Sequence, residues 1–129
     1  CQRILELNLD HARERQQFGV PIGSFQAVKH KMTDMYCLIE RARALVYFAA
    51  LVFDSDDDRR VIATSMAKAG AGECQHRCVR DGLQLFGGIG YTWEHELHLF
   101  LRRAKIGELH FGSSSSHRRR ITRCAMSAL

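Results

Sequence analysis

Arg15 begins a short segment, Arg-Gln-Gln-Phe-Gly, at a point where a predicted helix stops. A guanidinium carries a permanent positive charge on a planar fork of N–H donors, which suits bidentate contact with a phosphate. The same position also suits a solvated arginine that interacts with the negative end of the helix dipole. Taken alone, the segment favours the solvated arginine, and phosphate binding is the alternative.

A second segment, residues 84–91, has the sequence Gln-Leu-Phe-Gly-Gly-Ile-Gly-Tyr. It follows a predicted helix and not a strand, which excludes the glycine fingerprint of dinucleotide-binding βαβ units. A plain turn between two helices would explain the glycines. Bare backbone at Gly87 and Gly88 would also let a ligand approach the amide groups, and Gln84 offers a donor and an acceptor beside them.

The cysteines are odd in number and lack the spacing of a secreted disulfide framework, which favours a reducing compartment. They are Cys1, Cys37, Cys74, Cys78 and Cys124. Cys74 and Cys78 lie four apart with His76 between them, but without a second ligand cluster the pair predicts buried thiols and not zinc. His95 and His98 predict a helix surface, because no third ligand accompanies them. The sequence therefore predicts no metal site.

Composition is that of an ordinary globular domain. With 129 residues, 46% of them hydrophobic and 26% charged, the chain fits one domain. No apolar run reaches the roughly 20 residues of a membrane span and no signal peptide is visible, so we expect a cytoplasmic protein without membrane partners. Basic runs at 102–103 and 118–120 lack a recognition motif and predict a solvated face or phosphate contacts, not a nucleic-acid partner. The start at Cys1, within a predicted helix, predicts a fragment boundary.

Hydrophobic spacing predicts a first long helix over residues 25–53. Ser24 is placed to cap its start. Apolar residues then recur in steps of three and four, as on one face of a helix. They are Phe25, Val28, Met32, Met35, Ile39, Ala42, Val46, Ala49 and Phe53.

A second long helix is predicted to run to about Phe86, where Gly87 and Gly88 end it. Ser55 or Asp56 would cap its start, with the acidic residues 57–58 in its first turn. Its small-residue stretch 67–72 predicts close approach of another helix, because two glycines otherwise weaken a helix by about 1 kcal/mol each.

Shorter helices complete the prediction. One covers residues 4–17, a fourth is capped by Thr92 and ends at Gly107, and a last one begins near His117 after the serine loop 113–116. No segment shows the alternation of a strand. The fold class predicted is all-α, an up-and-down antiparallel bundle of four main helices plus a short C-terminal helix.

In this order the segments resemble the acyl-CoA dehydrogenase family over essentially the whole chain. Residues 15–22, Arg-Gln-Gln-Phe-Gly-Val-Pro-Ile, are similar to the family's Arg-x-Gln-Phe-Gly-x-Pro-Ile. Residues 84–91 are similar to its Gln-x-x-Gly-Gly-x-Gly-Tyr turn, followed by Thr92-x-Glu94 and by Arg-Arg-Ala-Lys-Ile at 102–106. The resemblance identifies residues 1–129 as the C-terminal helical bundle of such an enzyme, whose N-terminal helical and middle β domains would precede it.

The resemblance implies FAD as the cofactor and an acyl-CoA thioester as the substrate. The cofactor-binding residues that it implies are Arg15, Gln17, Phe18, Gln84, Gly87, Gly88 and Ser113. Arg15 would bind the FAD pyrophosphate of a neighbouring subunit, since such bundles pack at the core of a dimer or tetramer. The implied reaction is α,β-dehydrogenation, in which a carboxylate removes the α-proton and the β-hydrogen leaves as hydride. The fragment alone is expected to be inactive.

The chain departs from the family pattern at the catalytic base. In many members the base is the glutamate of Tyr-Glu-Gly-Thr, which aligns with His-Phe-Gly-Ser at 110–113, so the usual glutamate is Phe111. A phenyl ring cannot accept a proton. Glu108 falls three residues early, His110 would project differently, and Glu94 is common in the family without being the base. We therefore predict no catalytic residue in this chain.

Three hypotheses follow from this departure. In the first, the base lies upstream of Cys1, as in the isovaleryl-CoA-type branch. In the second, the chain belongs to a non-catalytic subunit, resembling the paired sterol-degrading dehydrogenases of actinobacteria, to which the run Gly-Tyr-Thr-Trp-Glu-His at 90–95 is similar. In the third, the parent binds flavin without dehydrogenase activity, or the bundle serves assembly alone. The acyl substrate, fatty or sterol, stays open.

Overall fold

The computed structural model describes residues 1–55 and 58–126, which form an antiparallel bundle of α-helices with one small hairpin. The helices are α1 (Gln2–Glu14), α2 (Gln26–Asp54), α3 (Arg60–Phe86), α4 (Leu97–Leu109) and α5 (Ser114–Met126). Strands β1 (Gln16–Gln17) and β2 (Val20–Pro21) pair antiparallel, and 3-10 helices cover Ile22–Ser24 and Gly87–Tyr91. The predicted all-α bundle with a short C-terminal helix is confirmed. Within these residues no helix combines the length and apolarity needed to cross a membrane.

The long helices α2 and α3 carry the core. Met35 and Ile39 of α2 pack with residues of α1, α3 and α4, and a smaller cluster of small residues lies at the other end of the pair. The predicted stripe on α2 is right at these positions and at Ala49. It is wrong at Phe25 and Val46, which are exposed, and at its end, where 3.6 residues per turn carry the buried face to Val52 and leave Phe53 exposed.

Glycines in α3 let two neighbouring helices come close. A Cβ at Gly70 would lie 2.6 Å from Leu45 of α2, and one at Gly72 would overlap Ser114 of α5. Close approach along residues 67–72 is therefore confirmed. The packing that this approach allows offsets the roughly 1 kcal/mol by which each glycine weakens the helix.

The connection between α1 and α2 differs from the prediction. α1 ends at Glu14, and the next residues form a hairpin whose two-residue turn, Phe18–Gly19, has φ values of 55° and 79°. Positive φ at both central residues is the geometry of a type I′ turn. Strands of two residues are too short to show alternation, so the sequence did not reveal them. Ser24 donates its hydroxyl to the Pro21 carbonyl at 2.7 Å and does not cap α2.

The start of α3 also differs. It begins at Arg60, so Asp58 lies before the helix and is not in its first turn. Asp56 and Asp57 lie outside the described residues. Ser55 donates to the carbonyl of Val52 at 3.1 Å, and so closes α2 instead of capping α3. The predicted end of α3 at Phe86 is confirmed.

α4 begins later and ends later than predicted. Thr92 donates to the Ile89 carbonyl at 2.9 Å and so closes the end of the 3-10 helix, and α4 starts only at Leu97. Gly107 does not end α4, since the helix continues to Leu109. Gly107 instead lies close to the side chain of Gln75 on α3. α5 starts at Ser114, before the predicted His117.

Candidate functional site

Arg15 and the glycine turn lie at the same end of the bundle. α1 runs along α3 in the same direction, since Ile4 lies at Gly82 and His11 stacks on Phe86 with ring centroids 4.3 Å apart. Arg15 follows His11 by one helical turn, and the glycine turn follows Phe86 directly. Two segments that are remote in the sequence therefore meet in space.

The main chain of Arg15 is fixed and its side chain is exposed. Its N–H donates to the His11 carbonyl and its own carbonyl accepts from the Ile22 N–H, both at 2.8 Å. Arg13, on the same helix, pairs with Asp10 at 3.3 Å. Within residues 1–55 and 58–126 the guanidinium of Arg15 has no such carboxylate partner. A positioned and unneutralised guanidinium suits an external phosphate.

Phe18 projects from the tip of the hairpin. Its side chain is 92% exposed and meets Phe25 edge-on, with ring centroids 6.1 Å apart. Gln17, in β1, is exposed as well. A bulky residue at positive φ is uncommon, because the left-handed region crowds its Cβ, and such strain concentrates at functional sites. The hairpin tip therefore has the character of a contact surface.

The glycine turn presents backbone to the outside. Gly87 has φ of 63° and ψ of −142°, a conformation that side chains avoid, and no atom lies within 4 Å of a Cβ built at Gly87 or Gly88. Gln84 is exposed in the last turn of α3. Gly90 differs, because a Cβ there would lie 3.0 Å from Phe86 and 3.2 Å from Leu97. The first two glycines are open to a ligand and the third serves packing.

Histidines connect the two segments. The pKa of His11 is lowered, mainly because the ring is partly buried and also because of the nearby charges of Arg15 and His95. Phe86 also contacts His95, with ring centroids 4.5 Å apart, and His95 Nδ1 accepts from the Leu97 N–H at 3.1 Å. The prediction of His95 on a helix surface is wrong, since it lies before α4. Contacts between distant positions leave no local pattern, so sequence analysis missed both roles.

Ser113 lies away from this cluster. Its Oγ accepts from the Ser116 N–H at 3.3 Å and so caps α5, and the adjacent Ser114 packs at Gly72 of α3. Gly72 precedes Phe86 by about four helical turns, or about 20 Å. Ser113 and Arg15 of one chain therefore cannot contact the same phosphate.

The position of the usual glutamate carries an exposed ring. Phe111 is 89% exposed with φ of 60°, and its carbonyl accepts from His117 Nε2 at 2.8 Å. Glu108, in the last turn of α4, pairs with Lys105 at 3.0 Å. Neither arrangement brings a carboxylate to the position that the family pattern assigns to the base.

A third cysteine joins Cys74 and Cys78. The Sγ atoms of Cys1, Cys74 and Cys78 all lie within 4.8 Å of one another. His76 is exposed and does not take part. Because Cys1 is remote in the sequence, the spacing of Cys74 and Cys78 gave no sign of it.

The basic runs are partly engaged within the fold. Arg102 lies over the ring of Trp93, 4.6 Å from its centroid. Arg118 pairs with Glu73 at 3.2 Å. Two of the basic side chains thus have partners within the fold and do not need a polyanionic partner.

Comparisons with known proteins agree with this geometry. The family model described as "Acyl-CoA dehydrogenase, C-terminal domain" matches residues 1–126. Acyl-CoA dehydrogenase IpdE2 of Mycobacterium tuberculosis is 42% identical over 104 residues, which are 81% of this chain and 31% of that protein. The ChsE4-ChsE5 complex from Mycobacterium tuberculosis matches with a TM-score of 0.88 and 33% identity over 95% of this chain and 33% of the other. The FAD complex of PigA matches with a TM-score of 0.89 and 30% identity over 96% and 32%. The chain spans about a third of the length of these proteins.

Proposed function

The chain belongs to the acyl-CoA dehydrogenase family as its C-terminal helical domain, and we propose that it holds FAD and joins subunits in an enzyme that dehydrogenates an acyl-CoA thioester. One observation carries the proposal. The stack of His11 on Phe86 brings Arg15 and the open glycine turn to one end of the bundle. Both features suit the diphosphate of a dinucleotide, and neither is needed for the core.

The residues present fit FAD by their chemistry. Arg15 supplies a positive charge and a donor fork for a phosphate. The described residues leave open space at the Cβ positions of Gly87 and Gly88, and because the Gly87 N–H donates to the Leu83 carbonyl, the backbone that the cofactor would approach is that of Gly88. Gln84 adds an amide that both donates and accepts. The FAD complex of PigA, which shares this fold at 30% identity, supports the assignment.

The position of Ser113 supports a site shared between subunits. Since Ser113 lies about 20 Å from the Arg15 cluster, we assign the two to different FAD molecules. Arg15, Gln17, Phe18 and the glycine turn would contact the cofactor of a neighbouring subunit, and Ser113 that of its own. The exposed Phe18 would then be covered in the assembly.

In the complete enzyme, bound FAD would accept the hydride from the β-carbon. The residues of this chain would bind and orient it, with Arg15 neutralising phosphate charge and Phe18 excluding water from the flavin. The α-proton goes to a carboxylate that we place outside this chain, upstream of Cys1, because Phe111 cannot accept it.

A second function is favoured by Phe111 itself. A subunit without its own base could serve as the non-catalytic partner in a mixed oligomer, and the similar ChsE4-ChsE5 structure is a complex of two named proteins. A full-length homo-oligomer whose flavin is reduced by an acyl-CoA would exclude this second function.

Substitution of Arg15 tests FAD binding. In the full-length protein we expect Arg15→Ala to weaken FAD binding by about 10- to 100-fold, since a hydrogen bond to a charged group contributes about 1.5–3 kcal/mol. Arg15→Lys should rescue little, because a lysine cannot form the bidentate contact. The measurement is the flavin content after purification and the Kd of the apoprotein for FAD.

Arg13→Ala is the matched control, since Arg13 lies on the same helix and is occupied by Asp10. It should leave the affinity for FAD unchanged. Full flavin content in Arg15→Ala would contradict the proposed function. So would a wild-type protein that stays colourless after incubation with excess FAD.

A further inference from the structure

Three thiols converge on one point between α1 and α3. Cys74 and Cys78 are buried, lie one turn apart on α3, and have their Sγ atoms 3.9 Å from each other. Cys1 precedes α1 and is half-buried, and its Sγ completes a triangle in which no separation exceeds 4.8 Å. Two of the three ligand positions are thus held by a single helical turn.

The triangle has nearly the size that a metal ion requires. Thiolates around Zn²⁺ lie at about 2.3 Å in a tetrahedral arrangement, which places their sulfurs about 3.8 Å apart. The observed 3.9 Å between Cys74 and Cys78 matches this separation. With edges of at most 4.8 Å, a central point lies within about 2.8 Å of every sulfur. Each sulfur would need to move by only about 0.5 Å to reach bonding distance.

The surroundings supply charge and space. Three thiolates and a divalent cation leave one negative charge, and the nearby guanidinium of Arg41, itself paired with Glu73, contributes a minor positive potential at Cys74. A cavity of about 410 Å³ adjoins the cluster and is lined by Cys1, Cys74 and Gln75, among others. It leaves room for water at the fourth position of a tetrahedral ion. Cys78 is fully buried and does not line this cavity, so the fourth position would be reached from the side of Cys1 and Cys74.

We propose that Cys1, Cys74 and Cys78 form a binding site for a thiophilic divalent cation of the Zn²⁺ class. As each sulfur–metal bond forms, the thiol loses its proton to solvent, so no oxidant or reductant takes part. The site would tie the start of α1 to the middle of α3, on the opposite side of His11 and Phe86 from the glycine turn. It is independent of FAD.

Cadmium titration tests the site. The full-length protein is kept reduced with a non-thiol reductant and titrated with Cd²⁺ alone, and sulfur-to-metal charge-transfer absorbance is recorded. We expect saturation at about one ion per chain and an increase in Tm at saturation. Cys1→Ser and Cys74→Ser should each weaken binding by more than about 100-fold, the upper range for changes outside the ligands themselves.

Cys37→Ser is the matched control, because Cys37 is an exposed thiol on α2. It should bind Cd²⁺ like the wild type. Cys1→Ser decides the outcome, because Cys1 is half-buried and serine replaces only its sulfur; circular dichroism verifies that the variant folds. Undiminished affinity in Cys1→Ser, or no saturable absorbance in the wild type, would overturn the proposal. Arg15→Ala should bind Cd²⁺ normally, so failure here is separable from failure of FAD binding.

Discussion

Gly87 and Gly88 are adjacent but differ in backbone conformation. Gly87 needs its positive φ to end α3, whereas Gly88 has an ordinary φ and open space around its Cβ position. We expect Gly87→Ala to destabilise the fold by about 1–3 kcal/mol, as for other strained residues. Gly88→Ala should keep its stability and weaken FAD binding at least about tenfold, since a methyl group would hold the cofactor away from the amides.

Chemical denaturation and FAD titration of both variants separate the two effects. Each variant serves as the control for the other, because the added atom is the same methyl group. Equal loss of stability in both would mean that the turn acts only as a helix terminator.

At single positions, sequence analysis succeeded where the residue type carries the chemistry. The guanidinium of Arg15 and the bare backbone of Gly87 each allowed phosphate contact as an alternative, and only the resemblance to a family made it the preferred prediction. Cys1 and His11 could not be found in this way. Their roles depend on Cys78 and Phe86, which only the packing of α1 against α3 brings near.

At the scale of helices, the stack of His11 on Phe86 is one of the contacts that set α1 against α3. The pKa of His11 is lowered, so the folded chain binds a proton there less readily than the unfolded chain, whose histidine titrates near pH 6.5. The unfolded state then binds more protons, and stability falls as pH decreases through about 6.5 toward the folded pKa.

We therefore expect the Tm of the wild type to decrease between about pH 7.5 and pH 5.5. In His11→Phe, which keeps a stacked ring without a titrating group, the decrease should be smaller. Thermal unfolding followed by circular dichroism measures both. His76→Gln, an exposed histidine on α3, is the control and should follow the wild type. The same pH dependence in His11→Phe would disprove the assignment.

The long helices were predicted well and the short connections poorly, for a physical reason. Over 29 residues of α2, burial imposes a clear period, and its slow drift moved the final buried position from the predicted Phe53 to Val52. The hairpin and the 3-10 helices contain too few residues for any period. There the backbone follows local hydrogen bonds, such as those of Ser24 and Thr92, which compete with capping.

At the scale of the molecule, α2 has an apolar surface that residues 1–55 and 58–126 leave uncovered. Residues 44–53 are Ala-Leu-Val-Tyr-Phe-Ala-Ala-Leu-Val-Phe, apolar on every side of the helix, and Tyr47 and Leu51 are 65% and 72% exposed. A helix that is apolar all round is normally buried. This observation supports the proposed contact between subunits.

We expect Leu51→Glu to raise the dissociation constant of the assembly at least about tenfold, because a buried and unpaired charge costs more than about 1.4 kcal/mol. Analytical ultracentrifugation of the full-length protein measures this. Thr122→Glu, on the exposed side of α5, adds the same charge as a control. If both variants assemble like the wild type, α2 does not join subunits.

The hairpin tip has a consequence for biosynthesis. Phe18 is held outward by the main chain itself, so a newly made copy displays an aromatic ring before any neighbour has arrived to cover it. Transiently exposed apolar groups make chains prone to aggregate. If the proposed assembly covers this ring, the fraction of new copies that escapes aggregation would depend on how quickly a neighbouring subunit binds after synthesis.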